Sequence, residues 1–241
     1  KMKRQLYLIK ARCIAAITAF GFVNCGLAPT LTGAAPSPAP WDSTYRPKIY
    51  PAKVAGFNAD PIKKIDFVFL GNSITAHADW AKLLDEPRAK NRCISGDITF
   101  GVLERLDEVI AGKPKKIFVL VGINDISRNI PDSLIIRNYH RIIRRIRTGS
   151  PSTQIYFCTL LPVNASFKKF MNHYGKDEHI LAINEAIKTL AAKKVAIIDL
   201  YPHFLDEEQH LVAAYTEDGL HPNNAGYQVW VKLLKDGNYL K

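Results

Sequence analysis

Between residues 65 and 200 of this 241-residue chain, five short apolar runs alternate with longer amphipathic stretches, and that rhythm restricts the fold most. The runs cover 65–70, 92–95, 116–121, 154–161 and 195–200. A strand with one wet face alternates apolar and polar residues. A nearly unbroken apolar run instead suits a strand covered on both faces, as in a parallel sheet between helices. The segments between the runs read as helices. Residues 97–111 place Phe100, Val102, Leu103, Leu106, Val109 and Ile110 mostly at helical spacing. Residues 132–148 do the same with Leu134, Ile135, Tyr139, Ile142, Ile143 and Ile146, and stretches near 177–193 and 224–235 complete the set. The pattern predicts an α/β fold, a three-layer α/β/α sandwich around a roughly five-stranded parallel sheet. Ligands of such sheets bind beyond the carboxyl ends of the strands, which is where chemistry should be sought.

The N-terminal part differs from the rest. Lys1, Lys3, Arg4, Lys10 and Arg12 precede an uncharged apolar run over 13–23, the layout of a signal peptide. That run is shorter than the roughly 20 residues needed to span a bilayer; an N-terminal helix of the domain is the competing interpretation. The expected organisation is a signal peptide over 1–27, a Pro/Ala-rich linker and irregular surface strap over 28–61, and a folded domain over 62–241. Prolines at 47, 51 and 61 favour an irregular strap. Export is therefore expected, to the periplasm, the medium or, through a lipid anchor at Cys25, the cell surface. The lipobox around Cys25 is loose, because Asn24 replaces the usual small residue. Five of the 33 Lys and Arg lie in the leader, leaving 28 against 22 acidic residues, so a nucleic-acid partner is not expected. Cys93 and Cys158 fall in expected strands and read as free core thiols, without metal-ligand spacing.

Four motifs stand at strand ends or before the last helix. Gly71-Asn72-Ser73 follows the first run, where Ser73 opens the next element with its hydroxyl exposed. Taken alone, a helix cap is the simpler role for that serine. Ser95-Gly96-Asp97 follows the second run; Gly96 serves a turn, or lets its N–H approach a substrate oxygen closely. Gly122-Ile123-Asn124-Asp125 follows the third. Asn124 is a turn residue or an amide donor to an oxyanion, a role whose loss typically costs about 3–4 kcal/mol of barrier. Asp218-Gly219-Leu220-His221-Pro222 precedes the final helix. Its carboxylate could turn onto the imidazole, fix the tautomer and free the other nitrogen to take a serine proton.

Together, in this order, the four blocks resemble the SGNH (GDSL-like) hydrolase family, from about residue 65 to the C-terminal helix. The resemblance implies a flavodoxin-like SGNH hydrolase fold with Ser73 as nucleophile, His221 as general base and Asp218 as its orienter. It further implies an oxyanion hole from the Ser73 and Gly96 N–H groups and the Asn124 amide, with no metal and no cofactor. Asn72 departs from the family's usual Gly-Asp-Ser. The stretch 94–103 together with 121–125 is similar to the branch containing platelet-activating-factor acetylhydrolase and bacterial carbohydrate or sialate O-acetylesterases. An O-acetyl ester of a small molecule or glycan, such as sialic acid, is the substrate this implies. A lysophospholipase or lipid acetylhydrolase is the alternative within the fold, and an inactive carbohydrate- or lipid-binding protein the alternative outside enzymes.

Other residues carry weaker expectations. Trp80, with nearby His77, is a candidate for the acyl pocket, although core packing explains Trp80 equally well. Asp125 is a second candidate substrate contact. His173 and His179 flank Asp177 and Glu178 and read as an exposed loop entering a helix rather than a metal site. Residues 163–176 suit a lid or an alcohol-side loop. The arginines of 137–147 read as a solvated helix face.

Overall fold

The structure, a computed structural model, describes residues 41–241. The expected leader over 1–27, with Cys13 and Cys25, and the linker as far as residue 40 lie outside the described residues.

Five strands form one parallel sheet: β1 (Phe67–Gly71), β2 (Ala89–Cys93), β3 (Lys116–Leu120), β4 (Gln154–Cys158) and β5 (Val195–Ile198). Their order is β2-β1-β3-β4-β5. All four pairings are parallel, and Gly71 at the end of β1 lies level with Cys93 and Leu120 on its two neighbours. Every residue of β1 and β3 is buried, as unbroken apolar runs require.

The helices are α1 (Tyr50–Ala59), α2 (Ser73–Ala76), α3 (Trp80–Leu84), α4 (Thr99–Glu104), α5 (Leu106–Ala111), α6 (Ile123–Ser127), α7 (Asp132–Gly149), α8 (Asp177–Lys188) and α9 (Asn224–Asp236). Side-chain alternation assigns two covering layers. Phe69, Phe118 and Tyr156 share a register level and therefore a face, and their rings stack at 4.8 Å between neighbours. Trp80 of α3 lies on Phe69 at 4.1 Å and meets Trp230 of α9. Phe157, one residue on and hence on the opposite face, packs against Tyr139 of α7. The expected three-layer sandwich is thus present.

Two expectations need correction. The span 41–61 is not irregular throughout, because it contains α1. Pro51 occupies the first turn of that helix, where an N–H would have no acceptor, so it starts the helix instead of breaking it. Tyr50 and Phe57 are buried with Ile94, and the Tyr50 hydroxyl donates to the Gly101 carbonyl at 2.8 Å. The segment 97–111 is two helices, parted at Arg105. That guanidinium turns inward to the Asp97 carboxylate (3.0 Å) and the carbonyls of Arg92 and Gly71. Cys93 and Cys158 are free and buried, and burial raises both thiols, Cys93 to about 12. Among the described residues, no helix is long and apolar enough to cross a membrane.

Candidate active site

The strand order reverses at β1, whose two neighbours are β2 and β3. At such a switch point the loops from adjacent strands diverge and leave a crevice at the carboxyl edge. Ser73 leaves β1, Gly96 leaves β2 and Asn124 leaves β3, so one crevice receives all three.

Ser73 is the first residue of α2, but the cap is Asn72, whose side-chain oxygen accepts from Ile74 N at 3.1 Å. The serine hydroxyl is thereby left free, and the odd residue of the motif has a structural task. The Ser73 hydroxyl instead meets His221 Nε2 at 2.9 Å. His221 Nδ1 meets Asp218 Oδ2 at 2.8 Å. The other oxygen of Asp218 accepts from the backbone N–H groups of Leu220 (2.9 Å) and His221 (2.8 Å). Gly219 makes this tight loop possible with φ of +79°, and the Tyr174 hydroxyl holds the Asp218 carbonyl at 3.0 Å. Partial burial pushes the Asp218 carboxyl up. The hydrogen bonds from His221 and Leu220, with the imidazole beside it, outweigh that and hold it below its ordinary value. An anionic acceptor on Nδ1 keeps the proton there and leaves Nε2 facing the serine as a base.

Three donor-bearing residues, Ser73, Gly96 and Asn124, border the same cavity. The Ser73 N–H stands at a helix start, where no intrahelical acceptor exists. The Gly96 N–H has no acceptor among the described residues, and its φ of +82° turns it out of the β2 direction. Asn124 donates one amide hydrogen to the Asp97 carbonyl (2.9 Å), while its oxygen is engaged by His173 Nε2 (3.2 Å). Both ends of the amide are therefore fixed, and Asn124 lines the cavity. His173 was expected on an exposed loop, but it lines the cavity. Burial first, then His221, Lys176 and Arg128, push it down to about 4, so it stays neutral around pH 7. No local pattern marks it; the segment carrying it folds back over α6. His179 turns away to Asp132, so the two histidines share no site.

Two other candidates fall outside the cavity. Trp80 is 1% exposed, donates to the Thr75 carbonyl (2.9 Å) and belongs to the core described above. Asp125 is fully buried and accepts from the N–H (3.0 Å) and hydroxyl (2.6 Å) of Thr99. Burial of its carboxyl outweighs those bonds and lifts it to about 7. Neither lines the cavity. His77 does line the cavity, its ring 4.8 Å from that of His221, and Phe170 meets His221 edge-on at 5.1 Å. The cavity encloses about 380 Å³, and Phe170 and Leu220 are its apolar lining residues.

A hydroxyl, an imidazole and a carboxylate in series, beside backbone N–H groups at the carboxyl edge of a parallel sheet, are the arrangement that serine hydrolases use. The chain belongs to the GDSL-like lipase/acylhydrolase family, whose profile matches residues 69–229. It is thus a carboxylic ester hydrolase. A Streptococcus pneumonia structure, provisionally assigned as a platelet activating factor, is 30% identical over 78% of this chain and 90% of its own, with a TM-score of 0.70. A GDSL-like lipase of Bacteroides thetaiotaomicron is 23% identical over 78% and 96%, with a TM-score of 0.67. An acetyl xylan esterase is 19% identical over 72% and 99%, with a TM-score of 0.60; these last two likenesses concern the fold alone. No curated protein sequence matches the chain significantly.

Proposed function

We propose that this chain is an exported esterase that removes short acyl groups, acetyl above all, from an oxygen of a carbohydrate such as sialic acid. His221 takes the Ser73 proton as the hydroxyl attacks the ester carbonyl. The N–H groups of Ser73 and Gly96 and the Asn124 amide then hold the oxyanion. His221 returns the proton to the departing alcohol. Water, deprotonated by the same imidazole, releases the acid from the acyl-enzyme. Asp218 stays ionised and keeps the ring oriented.

The unbroken Ser73–His221–Asp218 hydrogen-bond chain is the observation that carries this mechanism. The short acyl group is supported by the cavity: at about 380 Å³ it lies near the small end for ligand sites and offers few apolar walls. A long alkyl chain would gain little burial there. Export is inferred from the basic and apolar pattern of the first 23 residues.

The test is a p-nitrophenyl ester series from acetate to decanoate, run beside Ser73→Ala, then a panel of O-acetylated sugars. Activity should fall sharply beyond short chains and vanish in the variant. A rate that climbs with chain length would favour the lysophospholipase alternative, and activity surviving in Ser73→Ala would remove the mechanism. Secretion of the full chain, followed by N-terminal sequencing, tests the leader.

A further inference from the structure

The cavity around Ser73 has a one-sided charge balance. Its lining among the described residues includes Arg128 and three histidines, but no carboxylate. Two of those histidines, His77 and His173, are held below their ordinary values, by burial first and by His221 next. Arg128 is the lining side chain that carries a guanidinium.

Arg128 sits at the end of α6, one turn beyond Asn124. Among the described residues its side chain makes no hydrogen bond and no ion pair. Its guanidinium carbon instead lies 3.1 Å from the centre of the Tyr45 ring. Asp42 is near enough to feel the charge, yet its oxygen is taken by the N–H (2.7 Å) and hydroxyl (2.6 Å) of Thr44. Stacking on an aromatic face orients a guanidinium and covers one side of it. The N–H groups in its plane remain free for a fork onto an oxyanion. The platform is itself anchored, since Pro47 packs beside Gly96 and Arg46 pairs with Glu104. A half-buried, pre-oriented and unpaired arginine beside a nucleophile has the properties of a specificity element more than of a freely solvated surface charge.

We propose that Arg128, stacked on Tyr45, is the subsite for an anionic substituent of the ester substrate, a carboxylate or a phosphate. This deepens, and rests on, the esterase proposal above. An acidic sugar would supply the carboxylate and a phospholipid headgroup the phosphate. In both, a planar fork meets two oxygens while the ester carbonyl lies over Ser73. Neutral donors complete the subsite wall, among them Ser127 and Asn172.

The test compares acetyl esters that differ only in charge: 3- and 4-acetoxybenzoate against the matching acetoxybenzamides, and 4-acetoxyphenyl phosphate as the phosphate arm. The wild-type chain should prefer at least one anionic ester over its neutral partner by about tenfold in kcat/KM at low salt, as a charge-assisted bond implies. The favoured arm identifies the oxyanion. Arg128→Met should abolish that preference, Arg128→Lys should keep part of it, and Arg128→Glu should reverse it. Tyr45→Ala, which removes only the platform, should weaken the preference without reversing it. Added salt should erode it, because the site is open to water. A wild-type chain indifferent to charge, or a preference that survives Arg128→Met, overturns the proposal. Ser73→Ala keeps the two proposals apart. If it still turns over these esters, the catalytic assignment falls; if it is dead while Arg128→Met leaves the charge preference intact, only the anion subsite falls.

Discussion

Replacing Asp218 with Asn isolates the electrostatic part of the site from its shape. The Asp218 carboxylate makes four contacts: Oδ1 accepts two backbone N–H groups at 2.8 and 2.9 Å and the Thr216 hydroxyl at 3.4 Å, and Oδ2 faces His221 Nδ1 at 2.8 Å. Asparagine can keep its carbonyl oxygen on the two N–H groups, so the loop should hold. Its NH2 then faces Nδ1 and needs an acceptor there. The ring proton is driven to Nε2, which becomes a donor toward the Ser73 hydroxyl and can no longer take its proton. A triad in the wrong tautomer loses on the order of 10⁴ in kcat, about 5.5 kcal/mol of barrier. The assay is steady-state hydrolysis of p-nitrophenyl acetate at pH 7.5, with thermal melts of both proteins to confirm that the loop survives. KM should move little, since the change lies behind the histidine and not against substrate. A variant that folds normally and keeps more than a tenth of wild-type kcat would refute the assignment of Asp218 as orienter. It would mean that the loop backbone alone holds the ring.

Three further outcomes follow from particular contacts. Asn124→Ala should lower kcat on p-nitrophenyl acetate by about 10²–10³. His173→Ala, which frees only the far end of the same amide, should lower kcat by a smaller factor that His173→Gln partly restores; equal losses would argue against a positioning role. Asp125 titrates near 7 when folded, because burial lifts it from 3.8. Between those values the folded chain holds a proton that the unfolded chain releases, so stability from this group is full below about pH 4 and lost as pH rises through 7. Asp125→Asn should flatten that slope in urea denaturation at pH 4 to 8, and an unchanged slope would assign it elsewhere. Finally, in a Cys13→Ser/Cys25→Ser background, Cys93 and Cys158 should react with Ellman's reagent only on unfolding. Reaction within minutes in buffer would contradict their burial.

What could be read from the sequence was local. The central strands announced themselves because a parallel sheet buries both faces, and Gly71, Gly96 and Gly219 marked the turns that bring Ser73, Gly96, Asp218 and His221 to the edge of the sheet; the edge strand β2 starts at Ala89, three residues before the expected run, because its outer side needs no apolar cover. What depended on contacts between distant segments was silent. Trp80 follows the serine motif by seven residues, a spacing that fits the cavity as well as the core; the partner that decides, Trp230, lies 150 residues away. Asp125 follows Asn124 directly, yet consecutive residues of a helix face different ways, so one reaches the cavity and the other is sealed beneath Thr99. Pro51 argued for an irregular strap only because its position relative to a helix start was unknown.

The same distinction explains why specificity is harder to infer than chemistry. Ser73, Gly96 and Asn124 sit where three adjacent strands end, so the strand order itself brings them together. The walls have a different origin. Tyr45 comes from the segment before the sheet, Arg128 from the helix after β3, and Phe170 and His173 from the excursion between β4 and α8. None of these segments is placed by the strand order itself. A Tyr45–Arg128 stack requires two segments 83 residues apart to agree on one contact that catalysis does not need. A contact that catalysis does not need points to binding, and on the proposal above the anionic group, more than the acyl group, is what should separate this esterase from others built on the same sheet.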